Sequence, residues 1–387
     1  MPRRKTDRRE EERGTEGMNV IFTCGGTAGH INPAVALARM FQERVEGCQV
    51  LFVGAKGGME ERLVPKEGFP LETVTISSFW RSLRPSGIQH NLRTLRNLSV
   101  SKREAARILD TFQPDLVVGT GGYASYPVVH AAARRGIPTA VHESNAVPGL
   151  TTQRLAKVAD RVMVGYEESR QHYQHPERVV VTGTPVRGEF FQITRQQARD
   201  ALGIKDDRPL VLSYWGSLGA EVMNGYMVDF LRQAARDGAP FHHIHGAGRN
   251  FAAMEKALAG DHLPPALQIR EYIYDMPTVM VAADLVLCRG GASTLSELTA
   301  IGKPAVIVPS PNVTNHHQER NANVLAQAGG AVVLLEPVCS GETLYRTTQD
   351  LLADEPRRKT MAQAMANMGI PQAGEKIYET LLTLVNP

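Results

Sequence analysis

Short β-branched runs alternate with helix-period stretches along almost the whole chain. In the first half the strand-like runs are Val20–Thr23, Val50–Val53, Leu71–Ile76, Leu116–Val118, Thr139–Val141, Val162–Val164 and Val179–Val181. In the second half they are Leu210–Ser213, His242–His245, Leu267–Arg270, Leu285–Cys288, Ala305–Val308 and Val332–Leu334. Stretches such as Pro33–Val45 and Tyr126–Arg135 read as helices between them. Apolar strands separated by helices mean parallel sheets covered on both faces. Two such series predict an α/β protein with two doubly wound, Rossmann-like domains. Glycine and proline punctuate the pattern at Gly183–Arg187, so the expected domains span 18–185 and 186–372. A final helical stretch, residues 373–387, is not needed to complete the second sheet.

Composition narrows the function classes. The chain has 387 residues, 42% of them hydrophobic, which is enough apolar material for two cores. Residues 1–17 hold six basic and five acidic side chains and almost nothing apolar. They are expected to form a disordered charged leader. No uncharged apolar run reaches the ~18–20 residues of a membrane-spanning helix. Cys24, Cys48, Cys288 and Cys339 lie far apart, with no CxxC pair, which argues against a zinc ribbon or a disulfide scaffold and fits a reducing compartment. A net charge of +3 argues against a nucleic-acid partner.

The chemistry concentrates in glycine-rich turns. Four of them follow strands: Gly25–His30, Gly119–Ser125, Gly216–Ala220 and Arg289–Thr294. A strand–glycine–helix unit offers bare backbone N–H groups at a helix N-terminus, where phosphate is favoured. One such turn is weak evidence, because glycine at a βα turn is often there for packing. Four turns at the carboxyl ends of strands would line one crevice if the two sheets faced each other. The motif is neither GxGxxG nor GxxxxGK[ST], and the second strand ends in Val53-Gly54-Ala55 without a ribose-binding acid. This argues against both a nicotinamide site and a P-loop. Glu297, one turn into the last of these helices, could accept bonds from both hydroxyls of a ribose. The same position also suits an acid that merely complements the helix dipole. His242, His243 and His245 read as a satisfied strand-end cluster rather than a metal site, because His242 points away from the other two. Cys24 reads as a small buried thiol.

Seven segments resemble one family: GGTAGHINPAVALA (25–38), GTGGYASYPVVHAA (119–132), HESNAVPGLTT (142–152), GTPVR (183–187), GSLGA (216–220), RGGASTLSELTAIGKPAVIVP (289–309) and HHQERNA (316–322). In this order they resemble the MurG family, the bacterial UDP-N-acetylglucosamine:lipid I transferases of peptidoglycan synthesis. The resemblance runs from Met18 to the end. It implies the GT-B architecture, two Rossmann-like domains facing across a cleft, with the C-terminal helix crossing back to the first. The second domain would bind UDP-N-acetylglucosamine: Ile273 beside the uracil, Glu297 on the ribose, Ser293 and Thr294 at the diphosphate, Arg187 and Ser217 near the phosphates. His317, Gln318 and Asn321 would read the sugar hydroxyls. The first domain would take the lipid acceptor through Gly25, Gly26, Thr27, Gly29, Gly121, Gly122 and Tyr123. Asn145 falls in the same cleft, and Thr27 and Asn145 are assigned to both substrates. The chain departs from the family pattern at Ala28, Ser144, Thr184, Trp215, Leu218 and His317; of these, Leu218 and His317 bear on the sugar donor.

The reaction so implied is an inverting displacement at the anomeric carbon, with UDP as leaving group. It needs a base at the acceptor hydroxyl and positive potential at the diphosphate. His30 follows the first glycine loop, and imidazole changes charge near neutrality. It is the expected general base or acceptor-orienting group; a phosphate contact or a helix cap is the plainer alternative. No metal ligand set and no cofactor is expected. From Ser77 to Arg103 there are six basic residues and no acid, interleaved with apolar groups. Phe79, Trp80, Arg81, Arg84, Arg93 and Arg96 are therefore expected to meet an anionic membrane surface, on the cytoplasmic face of the cell membrane. The alternatives are an ordinary solvated helix in that stretch and, for the whole chain, another GT-B enzyme: a glycolipid synthase, an isomerase of the UDP-N-acetylglucosamine 2-epimerase type, or a non-catalytic nucleotide-sugar binder.

Overall fold

The computed structural model describes residues 17–76, 85–216 and 220–385. Residues 1–16 of the leader, Phe79, Trp80, Arg81, Arg84, Ser217 and Leu218 lie outside the described residues, and the side chains of Arg93 and Arg96 are likewise not described. The chain divides into two compact units, one of 1–143, 148–185 and 372–387, the other of 144–147 and 186–371.

The first unit is built on β1 (Asn19–Thr23), α1 (Ala28–Arg44), β2 (Gln49–Ala55), α2 (Glu60–Lys66), β3 (Leu71–Val74), α3 (Pro85–Phe112), β4 (Leu116–Gly119), α4 (Ser125–Arg134), β5 (Thr139–Glu143), α5 (Leu150–Leu155), β6 (Arg161–Val164) and β7 (Val179–Val181). Its seven strands are ordered β3-β2-β1-β4-β5-β6-β7, and every pair is parallel. Side chains alternate across each strand. Val20, Phe22, Val50 and Phe52 therefore enter one apolar layer, and Ile21, Leu51 and Val53 the other. Both faces are covered, which is why these strands read as continuous apolar runs rather than alternating ones.

α1 begins five residues before Pro33, where the sequence pattern placed its start. Thr27 is extended (φ −149°, ψ 154°) and ends the glycine turn, so the helix starts at once behind it. Pro33 sits in the second turn, where it leaves one helical carbonyl without its donor. Gly29 and His30 are thus helical residues, not loop residues.

The second unit comprises α6 (Arg195–Ala201), β8 (Leu210–Tyr214), α7 (Glu221–Arg236), β9 (His242–Gly246), α8 (Phe251–Leu258), β10 (Leu267–Arg270), α9 (Met276–Ala282), β11 (Leu285–Cys288), α10 (Ala292–Ala300), β12 (Ala305–Ile307), α11 (His317–Gln327), β13 (Ala331–Val333), α12 (Gly341–Ala353) and α13 (Glu355–Met368). Its strand order is β10-β9-β8-β11-β12-β13, again all parallel.

The last helix, α14 (Ala373–Val385), belongs to the first unit, as the resemblance implied. Ile377, Tyr378 and Leu381 enter the layer beneath α1. Tyr378 meets Phe41 edge-on at 4.9 Å, and Arg44 pairs with Glu375 at 2.5 Å. Each buried apolar side chain of this kind contributes about 1.5–3 kcal/mol, whereas the exposed ion pair adds little.

Candidate active site

Both sheets reverse their winding direction once. In the first unit the reversal lies between β1 and β4, in the second between β8 and β11. At such a point the loops leaving two adjacent strands diverge and open a crevice at the strands' carboxyl ends. All four glycine-rich turns leave these four strands.

In the first unit the two turns interlock. A Cβ on Gly122 (φ 80°) would lie 2.1 Å from the Gly25 carbonyl oxygen, so only glycine fits. Gly121 (φ 111°) faces the imidazole of His30, where a Cβ would sit 2.6 Å from Cδ2 and 2.9 Å from Nε2. The backbone of His30 is also tied across the crevice, because the Thr120 hydroxyl donates to its carbonyl at 2.7 Å. Within the ring, Nδ1 lies 2.8 Å from the Gly25 carbonyl. A carbonyl only accepts, so Nδ1 is the protonated nitrogen and Nε2 of the neutral ring is left as the proton acceptor. The Thr27 hydroxyl stands 3.3 Å from the same Nδ1.

Glu60, the first residue of α2, is fully buried against these turns. Its Oε1 accepts the Gly26 N–H at 2.7 Å. Gly26 is therefore not a free phosphate donor, contrary to the expectation from sequence: a carboxylate of the chain itself already holds that amide. The amides of Thr27, Ala28 and Gly29, at the N-terminus of α1, have no partner within the helix. Tyr123 is half-buried, with its ring 3.6 Å from where a Gly26 Cβ would lie. Burial first, and the Glu60 charge second, raise its hydroxyl pKa. Cys24 is a buried thiol pushed well up by burial, with Glu60 adding to the shift.

In the second unit α10 starts at Ala292 behind an extended Gly291 that has no side-chain cap. Ser293 and Thr294 fall in its first turn, so their amides lack helical partners. No acidic residue stands in that turn. Glu297 lies on the next turn, and burial pushes its carboxyl pKa up to about 7, against a smaller opposing pull from Arg187. The Arg187 guanidinium stands 4.0 Å from Glu297 and stacks over Phe190 at 5.3 Å. Ile273 is buried, its side chain packing where a Gly246 Cβ would point, so it has only backbone to offer a ligand. His317 opens α11 behind two residues in the left-handed region, Asn315 (φ 58°) and His316 (φ 50°). Strain of that kind concentrates at functional turns. The side-chain amide oxygen of Gln318, Oε1, accepts the Ser310 N–H at 2.9 Å.

Asn321 is committed to the protein, and Asn145 belongs to the other unit. Asn321 is fully buried. Oδ1 accepts the Ala146 N–H at 2.9 Å, while Nδ2 donates to Asn145 Oδ1 and to the Gly290 carbonyl, both at 3.1 Å. It fastens two loops together rather than reading a sugar. Asn145 itself lies in the 144–147 segment, which packs as part of the second unit and not the first. The three histidines of β9 have protein partners. His242 Nε2 meets Asp206 at 2.8 Å. Asn224 donates to the Ala247 carbonyl, which orients its Oδ1 toward His245 Nε2 at 3.1 Å. Ser213 Oγ then bridges His245 Nδ1 (2.7 Å) and His243 Nε2 (2.8 Å). Burial lowers the pKa of both, His245 to about 3, so they stay neutral. Among the described residues no group of three or more His, Cys, Asp or Glu is placed to hold a metal ion.

Glu60 is the residue that sequence reasoning missed. An acid in a first helical turn reads as dipole compensation, and only the glycine pair Gly57-Gly58 before it hinted at a third close turn.

Comparison with known proteins identifies the family and the fold. Residues 20–164 match the glycosyltransferase family 28 N-terminal domain and residues 211–377 the family 28 C-terminal domain. The UDP-N-acetylglucosamine–N-acetylmuramyl-(pentapeptide) pyrophosphoryl-undecaprenol N-acetylglucosamine transferase of Acetivibrio thermocellus is 40% identical over 365 residues, covering 94% of this chain and 97% of that protein. The enzyme of the same name from Thermoanaerobacter sp. is 40% identical over 368 residues, 95% of this chain and all of that protein. The crystal structure of Acinetobacter baumannii MurG superimposes with a TM-score of 0.76 at 27% identity, covering 95% of this chain and 99% of that one. With its two doubly wound sheets of the GT-B type, this chain belongs to glycosyltransferase family 28, among the N-acetylmuramyl-(pentapeptide) pyrophosphoryl-undecaprenol N-acetylglucosamine transferases.

Proposed function

We propose that this chain transfers N-acetylglucosamine from UDP-N-acetylglucosamine to the muramyl 4-hydroxyl of undecaprenyl-pyrophosphoryl-MurNAc-pentapeptide, lipid I, to give lipid II. The observation that carries the reading is the pair of dissimilar switch points. One presents an imidazole with its Nε2 unprotonated, the other an open helix N-terminus with a carboxylate one turn on. Likeness over nearly the full length to relatives named for this reaction supports it.

In this reading Nε2 of His30 takes the proton from the acceptor hydroxyl as its oxygen attacks the anomeric carbon. The bond to the diphosphate oxygen breaks on the opposite side, which inverts the centre to a β-linkage. Negative charge grows on the departing UDP. The amides of Ser293 and Thr294 and the Arg187 guanidinium are suited to stabilise it, together with Ser217. Glu297 accepts from the ribose hydroxyls, the Ile273 backbone meets the uracil, and His317 and Gln318 meet the sugar. On the acceptor side the helix amides behind Thr27, with Gly121, Gly122 and Tyr123, receive the lipid pyrophosphate.

The acceptor carries a polyprenyl chain, so the enzyme works at a membrane surface. No described helix is long and apolar enough to cross a membrane. The basic stretch from 77 to 103 is suited to peripheral contact on the cytoplasmic face. Lys102 and Arg103 are exposed on α3, while Ala105, Ile108 and Leu109 of the same helix face the core. Each basic residue at an anionic surface contributes about 1 kcal/mol.

The test offers purified protein radiolabelled UDP-N-acetylglucosamine with and without a lipid I analogue. Label on the lipid, with UDP released only when acceptor is present, is the expected result. Release of UDP without acceptor, or no label on lipid despite bound donor, would refute the assignment.

A further inference from the structure

We propose that Glu60 is a positioning residue for His30, acting through the peptide bond between Gly25 and Gly26. The inference rests on the assignment of His30 as the base. That peptide is held at both ends. Its carbonyl, on Gly25, accepts from His30 Nδ1 at 2.8 Å. Its N–H, on Gly26, donates to Glu60 Oε1 at 2.7 Å. Imidazole, peptide and carboxylate thus form one continuous chain of hydrogen bonds.

The physical consequence follows from bond polarity. A carboxylate pulling on an amide N–H shifts electron density toward the carbonyl oxygen of the same peptide, which becomes a better acceptor. The Nδ1–H bond of His30 strengthens, the Nδ1-protonated tautomer is fixed, and the positive charge that develops on the ring in the transition state is stabilised. A carboxylate bonded directly to an imidazole does the same in other hydrolytic and transfer sites; here one peptide unit is interposed.

Glu60 is also costly in a way that packing alone does not explain. It is fully buried, and among the described residues its Oε2 has no hydrogen-bond partner. An unpaired buried carboxylate oxygen carries a desolvation penalty that an apolar residue would avoid. The surrounding backbone makes room for it: a Cβ on Gly58 would lie 1.8 Å from Oε2, and one on Gly25 2.9 Å from Oε1. The other titratable groups facing this chain are Cys24 and Tyr123, whose protonated forms Glu60 favours, and buried His142, which His30 disfavours as a cation.

The test is Glu60→Gln, which keeps an acceptor for Gly26 and removes the charge. Expected are a kcat reduced about tenfold or more, a KM for UDP-N-acetylglucosamine within about twofold of wild type, and an acid limb of the kcat–pH profile displaced downward by about half a unit or more. A role confined to holding the loop would leave that limb in place, and unchanged kcat and limb in a folded Glu60→Gln protein would overturn the proposal. A second measurement needs no substrate and no Glu60 variant: ¹⁵N NMR of the His30 ring in the wild-type protein, assigned by the resonance that folded His30→Gln lacks. The neutral ring is expected to carry its proton on Nδ1, and an Nε2-protonated ring overturns the proposal. Failure of the wild-type protein to transfer sugar would count against the functional reading instead, and the NMR result would still decide the hydrogen-bond chain.

Discussion

The two switch points use the same glycine-rich chemistry for opposite ends. In the first unit the chain fills its own turn. Gly122 presses on the Gly25 carbonyl, Gly121 on the His30 ring, and Glu60 occupies the Gly26 amide. In the second unit the turn behind β11 is closed at Gly290, where a Cβ would lie 2.2 Å from the Gln318 carbonyl oxygen, and open at Gly291, where one would meet nothing within 4 Å and no side chain caps α10. Glycine in the first case permits close packing that holds one imidazole still. In the second, Gly290 packs in the same way against the Gln318 backbone, and only Gly291 behind it leaves the start of α10 bare. A strand–glycine–helix pattern alone does not tell these apart; what the neighbouring side chains already satisfy does.

The sharpest break of this comparison is His30→Ala. Loss of a positioned general base costs typically 10²–10⁴-fold, so kcat for lipid-directed transfer should fall by that factor. Steady-state kinetics at saturating donor check it, and a loss under about fivefold would remove His30 from proton transfer.

Next comes a matched pair of glycine substitutions. Gly122→Ala forces a Cβ onto the Gly25 carbonyl at a left-handed φ and should cost about 3 kcal/mol or more. Gly291→Ala, at φ −70° in open space, should change stability by less than about 1 kcal/mol. Urea unfolding of both variants measures the contrast. Equal destabilisation would mean that Gly291 is not an open position.

Acid should find the second unit first. His243 and His245 are buried with lowered pKa values, so the unfolded chain binds protons more readily than the folded one below about pH 6.5. Stability tied to them is full above that pH and is lost as pH falls, for His245 toward about 3. At pH 5 the loss from His245 is on the order of 2 kcal/mol, and His243 adds to it in the same direction. Hydrogen exchange at pH 7.5 and pH 5 should show β8 and β9 losing protection ahead of β1 and β4. The reverse order would contradict the assignment.

The smallest effect concerns Glu297. Its carboxyl is pushed up to about 7, so the ionised form that best accepts ribose hydroxyls becomes dominant only above that pH. Donor affinity should therefore rise as pH increases through about 7. The unliganded protein should show the opposite sign, losing stability between about pH 4.5 and 7, where the carboxyl of the unfolded chain is ionised and that of the folded protein stays protonated. Glu297→Gln should weaken UDP binding about tenfold and flatten both dependences. A pH-independent wild-type affinity would place Glu297 away from the nucleotide.

Much of this architecture was visible beforehand because parallel strands buried on both faces must be apolar throughout. Runs such as Val20–Thr23 and Leu285–Cys288 could hardly be anything else. The position of α14 came from family resemblance, since a helix of ordinary amphipathic pattern does not say which unit its apolar face covers. Glu60 and Asn321 were illegible for one reason. Each acts through partners far away in sequence, 34 residues for Glu60 and 175 for the Ala146 amide. Local pattern therefore reads the first as a dipole partner, and the resemblance alone sends the second to the sugar. The start of α1 was obscured by Pro33, whose usual place is a first turn, and the passage of 144–147 into the second unit has no compositional mark.

The division between a first unit that braces His30 and a second unit proposed to bind the donor is tested most directly by calorimetric titration of UDP-N-acetylglucosamine into His30→Ala protein. The account predicts a dissociation constant within about twofold of wild type in a protein that no longer transfers sugar. A constant weakened tenfold or more would show that His30 serves the donor, and would contradict it.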